Sequence, residues 1–315
     1  MRTRAVALAT DDRVEELASE ELARSKSAVA AVVGGFFAAA GAHPDVLLGP
    51  LTLVVAGVGS GGRAFDGRLR QPGLGVRRPR GFVTENVPVA SRVALPTGVA
   101  ALTVALAYDQ RATLTSVAKV GAREATAAGA PERSRLLARI ASVGPAALAE
   151  SAFVRPLLHL ASPSEGGLLS PADFVATEDV ALEAHARVLR GTTFLEAPWA
   201  EAKPDAVAPG GERHGICAVD ANGVFAVLCY EQVGAGLDVP ALGLVAALGA
   251  VPVRRGTPRV SPGARIPAFA PVAIACDDNG VPVEATATLQ AGPRSRKSHL
   301  SIARGSGRWL VPTRR

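Results

Sequence analysis

Between Ser27 and Gly62 the chain carries a single formal charge, Asp45. A stretch this apolar must either cross a membrane or form the middle of a core. Its first half, AVAAVVGGFFAAAGA, offers about 15 residues before His43-Pro44, where a spanning helix needs about 20. Its second half, LLGPLTLVVAGV, is interrupted by Gly49-Pro50. A buried helix over 28–42 followed by a buried strand over 51–56 is therefore expected, with no membrane partner. At 315 residues and 48% hydrophobic, the chain can bury a sizeable core in one large domain or two small ones. A mean hydropathy of +0.24 excludes disorder and implies an apolar surface with a partner to cover it.

The charge is unevenly placed. After Glu284 come seven basic residues and no acidic one: Arg294, Arg296, Lys297, Arg304, Arg308, Arg314 and Arg315. Removing those seven from the total of +6 leaves −1 for residues 1–284. A basic tail over 293–315 is expected to be extended or irregular and, if it binds, to take an acidic partner. A second basic cluster is Arg63, Arg68, Arg70, Arg77, Arg78 and Arg80. Neither has the interleaved aromatics of a single-stranded nucleic-acid platform. The start meets Asp11, Asp12, Glu15 and Glu16 before any apolar run, so no secretory leader is expected. Cys217, Cys229 and Cys276 are odd in number and lack CxxC spacing. They read as buried thiols of a reducing, cytoplasmic protein. No metal-ligand spacing is present, and neither a metal nor a cofactor is expected.

Residues 12–24 have the pattern of an amphipathic helix, with Val14, Leu17 and Leu22 inward. Gly57 to Gly62 spells G-x-G-x-x-G after a strand, but the following RAFDGRLRQPGLG cannot supply the helix N-terminus that a dinucleotide needs. A hairpin turn is expected there. Residues 72–98 read as irregular, and 98–160 as helical with breaks at Gly129-Ala130-Pro131 and Gly144-Pro145. Ser170-Pro171-Ala172-Asp173 has the cap chemistry of a helix start. Residues 200–211 read as a loop. His214–Val219 and Val224–Tyr230 around Asp220-Ala221-Asn222-Gly223 read as a hairpin, with further strands at 271–276 and 282–288. Helices first and strands later imply an α+β layered domain.

Several tracts, taken in order, resemble the γ-glutamyltranspeptidases and related acylases of the N-terminal-nucleophile hydrolases. Ser27-Ala28-Val29-Ala30-Ala31-Val32 is similar to the family's N-A-V-D-A-A. Asp66-Gly67-Arg68-Leu69-Arg70-Gln71-Pro72 is similar to D-x-R-E-x-A-P, and Val93-Ala94-Leu95-Pro96-Thr97-Gly98 to V-A-V-P-G-x. Gly166-Gly167-Leu168-Leu169-Ser170-Pro171-Ala172-Asp173-Phe174 is close to G-G-L-L-T-x-E-D-L. Arg190-Gly191 with Glu196-Ala197-Pro198 resembles R-G-x-x-V-x-E-x-P, and Gly210 to Asp220 resembles G-G-D-T-x-x-L-C-A-V-D. The resemblance implies a trimmed four-layer αββα sandwich over residues 1–292, with Arg68 as the arginine that clamps a substrate carboxylate.

The departures fall on the chemistry. Such enzymes cut the chain before the threonine of the last motif, and the freed α-amine activates that threonine's hydroxyl. Counting back from Asp220, this chain has Arg213 there. A guanidinium stays protonated and is no nucleophile. The family's serine-bearing P-G-K-R-P-x-S-S-M-x-P becomes Pro262-Gly263-Ala264-Arg265-Ile266-Pro267-Ala268-Phe269-Ala270-Pro271, and its paired glycines shrink to Gly292. His214 reads as a strand-start histidine, Thr192 and Thr193 as ordinary strand residues, and Ser60 as a turn residue outside any G-x-S-x-G elbow. Two functions follow as expectations. One is a γ-glutamyltranspeptidase-like protein without catalytic residues, kept for binding or assembly as an oligomer or with a protein partner. The alternative is an active γ-glutamyl or acyl amide hydrolase with an unrecognised nucleophile.

Overall fold

The computed structural model describes residues 5–58, 61–77, 87–175, 179–200, 211–253, 259–268, 271–289, 299–304 and 310–314, with backbone alone for 304 and 310–314. In chain order the structure runs β1 (Val6–Ala9), α1 (Asp12–Ser25), α2 (Ala28–Ala42), β2 (Leu51–Ala56) and β3 (Gly62–Gly67). Then come α3 (Gly98–Asp109), α4 (Leu114–Val117), α5 (Lys119–Ala127), α6 (Pro131–Val143) and α7 (Ser151–Ala161). The strands β4 (Ala181–Glu183), β5 (His185–Leu189), β6 (Thr192–Glu196), β7 (Glu212–Val219) and β8 (Phe225–Gln232) follow. The last are β9 (Leu237–Val239), β10 (Leu244–Ala246), β11 (Val272–Cys276), β12 (Pro282–Thr288), β13 (His299–Arg304) and β14 (Leu310–Arg314).

The apolar run of the sequence becomes the centre of the molecule. Ser27 caps α2, its hydroxyl oxygen accepting from Ala30 N at 2.9 Å, and almost every residue of the helix is buried. Helix α2 lies on β7 and β8, with α1 and α5 against its other sides. Glycine lets α5 come this close: a Cβ on Gly41 would sit 2.2 Å from the Gly121 carbonyl oxygen. Among the described residues no single helix is long and apolar enough to cross a membrane.

Strand β2 is the expected strand, and it pairs antiparallel with β3 and β8 in a six-stranded sheet ordered β1-β7-β8-β2-β3-β4. Strands β7 and β8 are the expected hairpin, closed by Asp220, whose Oδ1 accepts from Asn222 N and Val224 N. Alternation divides the two cores. Ile216, Ala218, Leu228 and Tyr230 face the helices, whereas Cys217, Val219, Val227 and Cys229 face a second sheet. That sheet is ordered β14-β13-β12-β11-β6-β5, all antiparallel. Arg190 (φ 52°) and Gly191 (φ 83°) turn β5 into β6 with the positive φ angles of a tight hairpin.

Three expectations change. The helices cover only the first sheet, so the described residues form helix, sheet and sheet in three layers, with no helix on the far face of the second sheet. The stretch read as a basic tail contains β13 and β14, and Leu300 and Ile302 of β13 are fully buried between the sheets. Its basic residues masked an alternation that puts apolar side chains inward. The cap at Ser170 opens only a 3₁₀ turn over Pro171–Phe174, because Asp173 turns its carboxylate to Gly73 N, Leu74 N and Ser170 N. The loop read over 200–211 falls, except for its two ends, outside the described residues, as do Gly292, Ser60, Arg78 and Arg80.

Candidate active site between the two sheets

At the start of β7 a small cavity lies beside the ends of β2 and β8. Arg213, second residue of β7, alternates with Cys217 and Val219 and so faces the second sheet. Its register partner across the hairpin is Glu231, which therefore shares that face. Arg68 follows β3 and reaches the same cavity, which is also lined by Thr52, Cys229 and Ala268. The fold thus brings together the two arginines singled out in sequence. The cavity measures about 20 Å³, space for about one water molecule.

Arg68 is held by two neighbours, Asp66 and Trp199. Its Nε and Nη2 donate to the two Asp66 carboxylate oxygens at 3.0 and 2.7 Å. Its guanidinium carbon lies 4.5 Å from the ring centroid of Trp199, a cation–π contact. The Trp199 indole in turn donates to Thr52 Oγ1 at 3.3 Å. Arg265 completes the group, its Nε 3.4 Å from Asp66 Oδ2 and its Nη1 donating to Thr97 Oγ1 at 2.7 Å. The carboxylate that Arg68 grips is therefore the chain's own.

Nucleophile chemistry is poorly served here. Burial pushes the Cys229 thiol up to about 12, against the opposing pull of Arg213, so it stays protonated. Thr52 sits inside β2 and has no α-amine to act as its base. Cys217 is wholly buried in β7, and burial raises its thiol as well. His214 points to the opposite, helical face, stacked on Tyr230 with Nδ1 3.2 Å from Thr10 Oγ1. Desolvation lowers its pKa, with Glu212 working against the shift. Thr192 and Thr193 begin β6, at the opposite end of that strand from Trp199. Among the described residues no group of His, Cys, Asp or Glu could hold a metal ion.

Sequence reading missed Trp199 and Glu231, which carry no motif of their own, and took Cys229 only as a buried thiol. Arg265 had a signal, the PGAR that stands where the family has PGKR, and Ala268 stands at a serine position of that same tract.

No family model and no curated protein matches the chain. Solved structures do. The structure of LmbA2991T421A superposes with a TM-score of 0.66 at 16% identity, covering 92% of this chain and 79% of that one. A cephalosporin acylase from Bacillus halodurans gives 0.60 at 11% identity, covering 90% and 77%. The chain has a γ-glutamyltranspeptidase-like fold. A γ-glutamyltranspeptidase from Pseudomonas nitroreducens, complexed with L-DON, agrees at 0.51 and 20% identity over 63% of this chain and 72% of that one. The likeness is one of fold: two stacked antiparallel sheets with helices on one of them.

Proposed function

We propose that this chain is a γ-glutamyltranspeptidase-like protein that neither cuts itself nor hydrolyses γ-glutamyl amides, and that it serves as a binding or assembly subunit. The observation that carries this reading is the cavity at the start of β7. It is lined by Arg213 and Ala268, which the motif resemblance sets against the family's nucleophile and one of its serines, and Arg68 there is paired with the chain's own Asp66. A cavity of about 20 Å³ also cannot admit an acyl substrate without rearrangement. The partner side of the proposal is supported by Val188 and Leu189 on the edge strand β5 of the second sheet, 68% and 49% exposed. Sedimentation should give an oligomer or a complex, and a stable lone monomer would remove that part. The three buried free thiols support a reducing, cytoplasmic setting.

The test of the central reading is turnover of a γ-glutamyl anilide by the chain and by its Arg213→Thr variant. Neither should be active above background. Threonine alone restores neither the serine tract nor the oxyanion donors, and each missing donor costs about 10²–10³ in rate. Turnover abolished by Thr52→Val or Cys229→Ser would install the hydrolase reading instead.

A further inference from the structure

A second, larger cavity lies apart from the β7 site, between α3, the 3₁₀ segment Gly144–Ala149 and the start of α7. It measures about 460 Å³, within the usual range of about 300–1,000 Å³ for small-molecule sites. We propose that it binds a neutral, apolar aromatic molecule with a body the size of naphthalene or somewhat larger. The proposal is independent of whether the chain is catalytic.

The room exists because small residues stand where larger ones would close it. Ala100 of α3 and Ala149 of the 3₁₀ segment both line the space, each offering only a methyl group to it. The inner wall is apolar and tightly held: Leu95, Phe153 and Val180 are all buried. Phe153 meets Phe174 edge to face with ring centroids 6.2 Å apart, so two aromatic rings line the cavity and can receive a third in the same way. Val175 lines it too and is 71% exposed, which puts the opening at the protein surface. Water in such a space finds few partners, and an apolar molecule displaces it favourably.

The polar side chains on the wall set the charge of the ligand, because each is already engaged within the protein. The Asp173 carboxylate accepts from the backbone N–H groups of Gly73, Leu74 and Ser170. Arg70 donates through Nη2 to the Asp173 carbonyl oxygen, and its backbone bridges both Leu95 and Arg265. Arg265 answers Asp66, Nε to Oδ2 at 3.4 Å, and its Nη1 donates to Thr97 Oγ1. The Thr97 hydroxyl in turn donates to Arg68 O at 2.7 Å. A carboxylate or an ammonium entering here would shed its hydration and have to compete with these internal contacts for a partner. A neutral apolar body gains burial and gives up no hydrogen bond.

The test is fluorescence titration of the full chain with N-phenyl-1-naphthylamine, a neutral dye that brightens in apolar surroundings. Displacement by 2-methylnaphthalene, 2-naphthoate and 2-naphthylmethylammonium at neutral pH then reads the charge preference. The dye should bind saturably, about one molecule per chain, and 2-methylnaphthalene should displace it. Each ion should compete about tenfold or more weakly, because it buries a charge without a new partner. Ala100→Phe and Ala149→Phe each fill the space and should abolish saturable binding, whereas Val188→Asp on the exposed β5 edge should leave it unchanged. Circular dichroism establishes folding, and the Ala149 variant, at an exposed position, carries the test should the Ala100 variant not fold. Absence of saturable dye binding, 2-naphthoate competing as well as 2-methylnaphthalene, parent-level binding by a folded cavity variant, or loss of binding in Val188→Asp would overturn the proposal.

Discussion

Replacing Arg111 with methionine removes the cation from a buried junction that ties three elements together. Arg111 Nη2 lies 2.5 Å from Asp109 Oδ1 and 2.6 Å from Asp220 Oδ2, and those carboxylates are 1% and 0% exposed. Asp109 also accepts from the Ser27 hydroxyl that caps α2, and Asp220 accepts from Ala28 N at 3.4 Å. Without the guanidinium, two buried carboxylates face each other across the same spot. Breaking a buried ion pair by removing one partner costs about 3–5 kcal/mol, and the 26% exposure of the arginine argues for the lower end. Unfolding entropy of about 2.1 cal/mol/K per residue gives about 0.66 kcal/mol/K for this chain, so about 3 kcal/mol lowers Tm by about 5 °C. The assay is thermal unfolding followed by circular dichroism, at neutral pH. Adding Asp109→Asn and Asp220→Asn to Arg111→Met should restore stability to within about 1 kcal/mol of the parent, because uncharged groups no longer need the cation. An unchanged Tm in the single variant, or a triple variant no better than the single, would refute the reasoning.

Burial lowers the His214 pKa, with Glu212 opposing, His43 adding to the shift, and Asp11 and Gln232 opposing it. The unfolded chain therefore takes up a proton that the folded one resists, and stability should fall as pH drops below about 6.5. A folded His214→Gln variant should lose that part of the pH dependence, and an unchanged profile would count against it. All three cysteines are buried, so a thiol reagent should label none in the native chain and all three in denaturant. Rapid native labelling of Cys229 would reopen it as a nucleophile. Arg213→Thr should leave γ-glutamyl anilide hydrolysis at background, whereas an active variant would mean that the rest of the machinery is intact.

The central core was legible because its signals are local. An uncharged run with Ser27 at its head and His43-Pro44 at its foot can only be a short buried helix, and α2 has those bounds. The β7–β8 hairpin was legible from its turn and from two apolar faces. Strand β1, only Val6–Ala9, is too short to show a period, yet it pairs with β7, which lies far from it in sequence. Strand β13 was hidden by the basic residues around it. For the site, the ordered motifs marked Arg68 and Arg213, and the fold places both on one cavity. What sequence could not tell is that Asp66 and Trp199 hold Arg68, since Trp199 arrives through the second sheet. Nor could it tell that Arg70 and Arg265 stand abreast, which only the long-range bridge creates.

The intact mass of the purified chain tests the central claim most directly. Self-cleavage in this fold needs a hydroxyl or thiol next to the scissile bond, and Glu212–Arg213 offers neither. The account predicts a single species at 32.1 kDa that persists on prolonged incubation. Two fragments divided at the Glu212–Arg213 bond would contradict it.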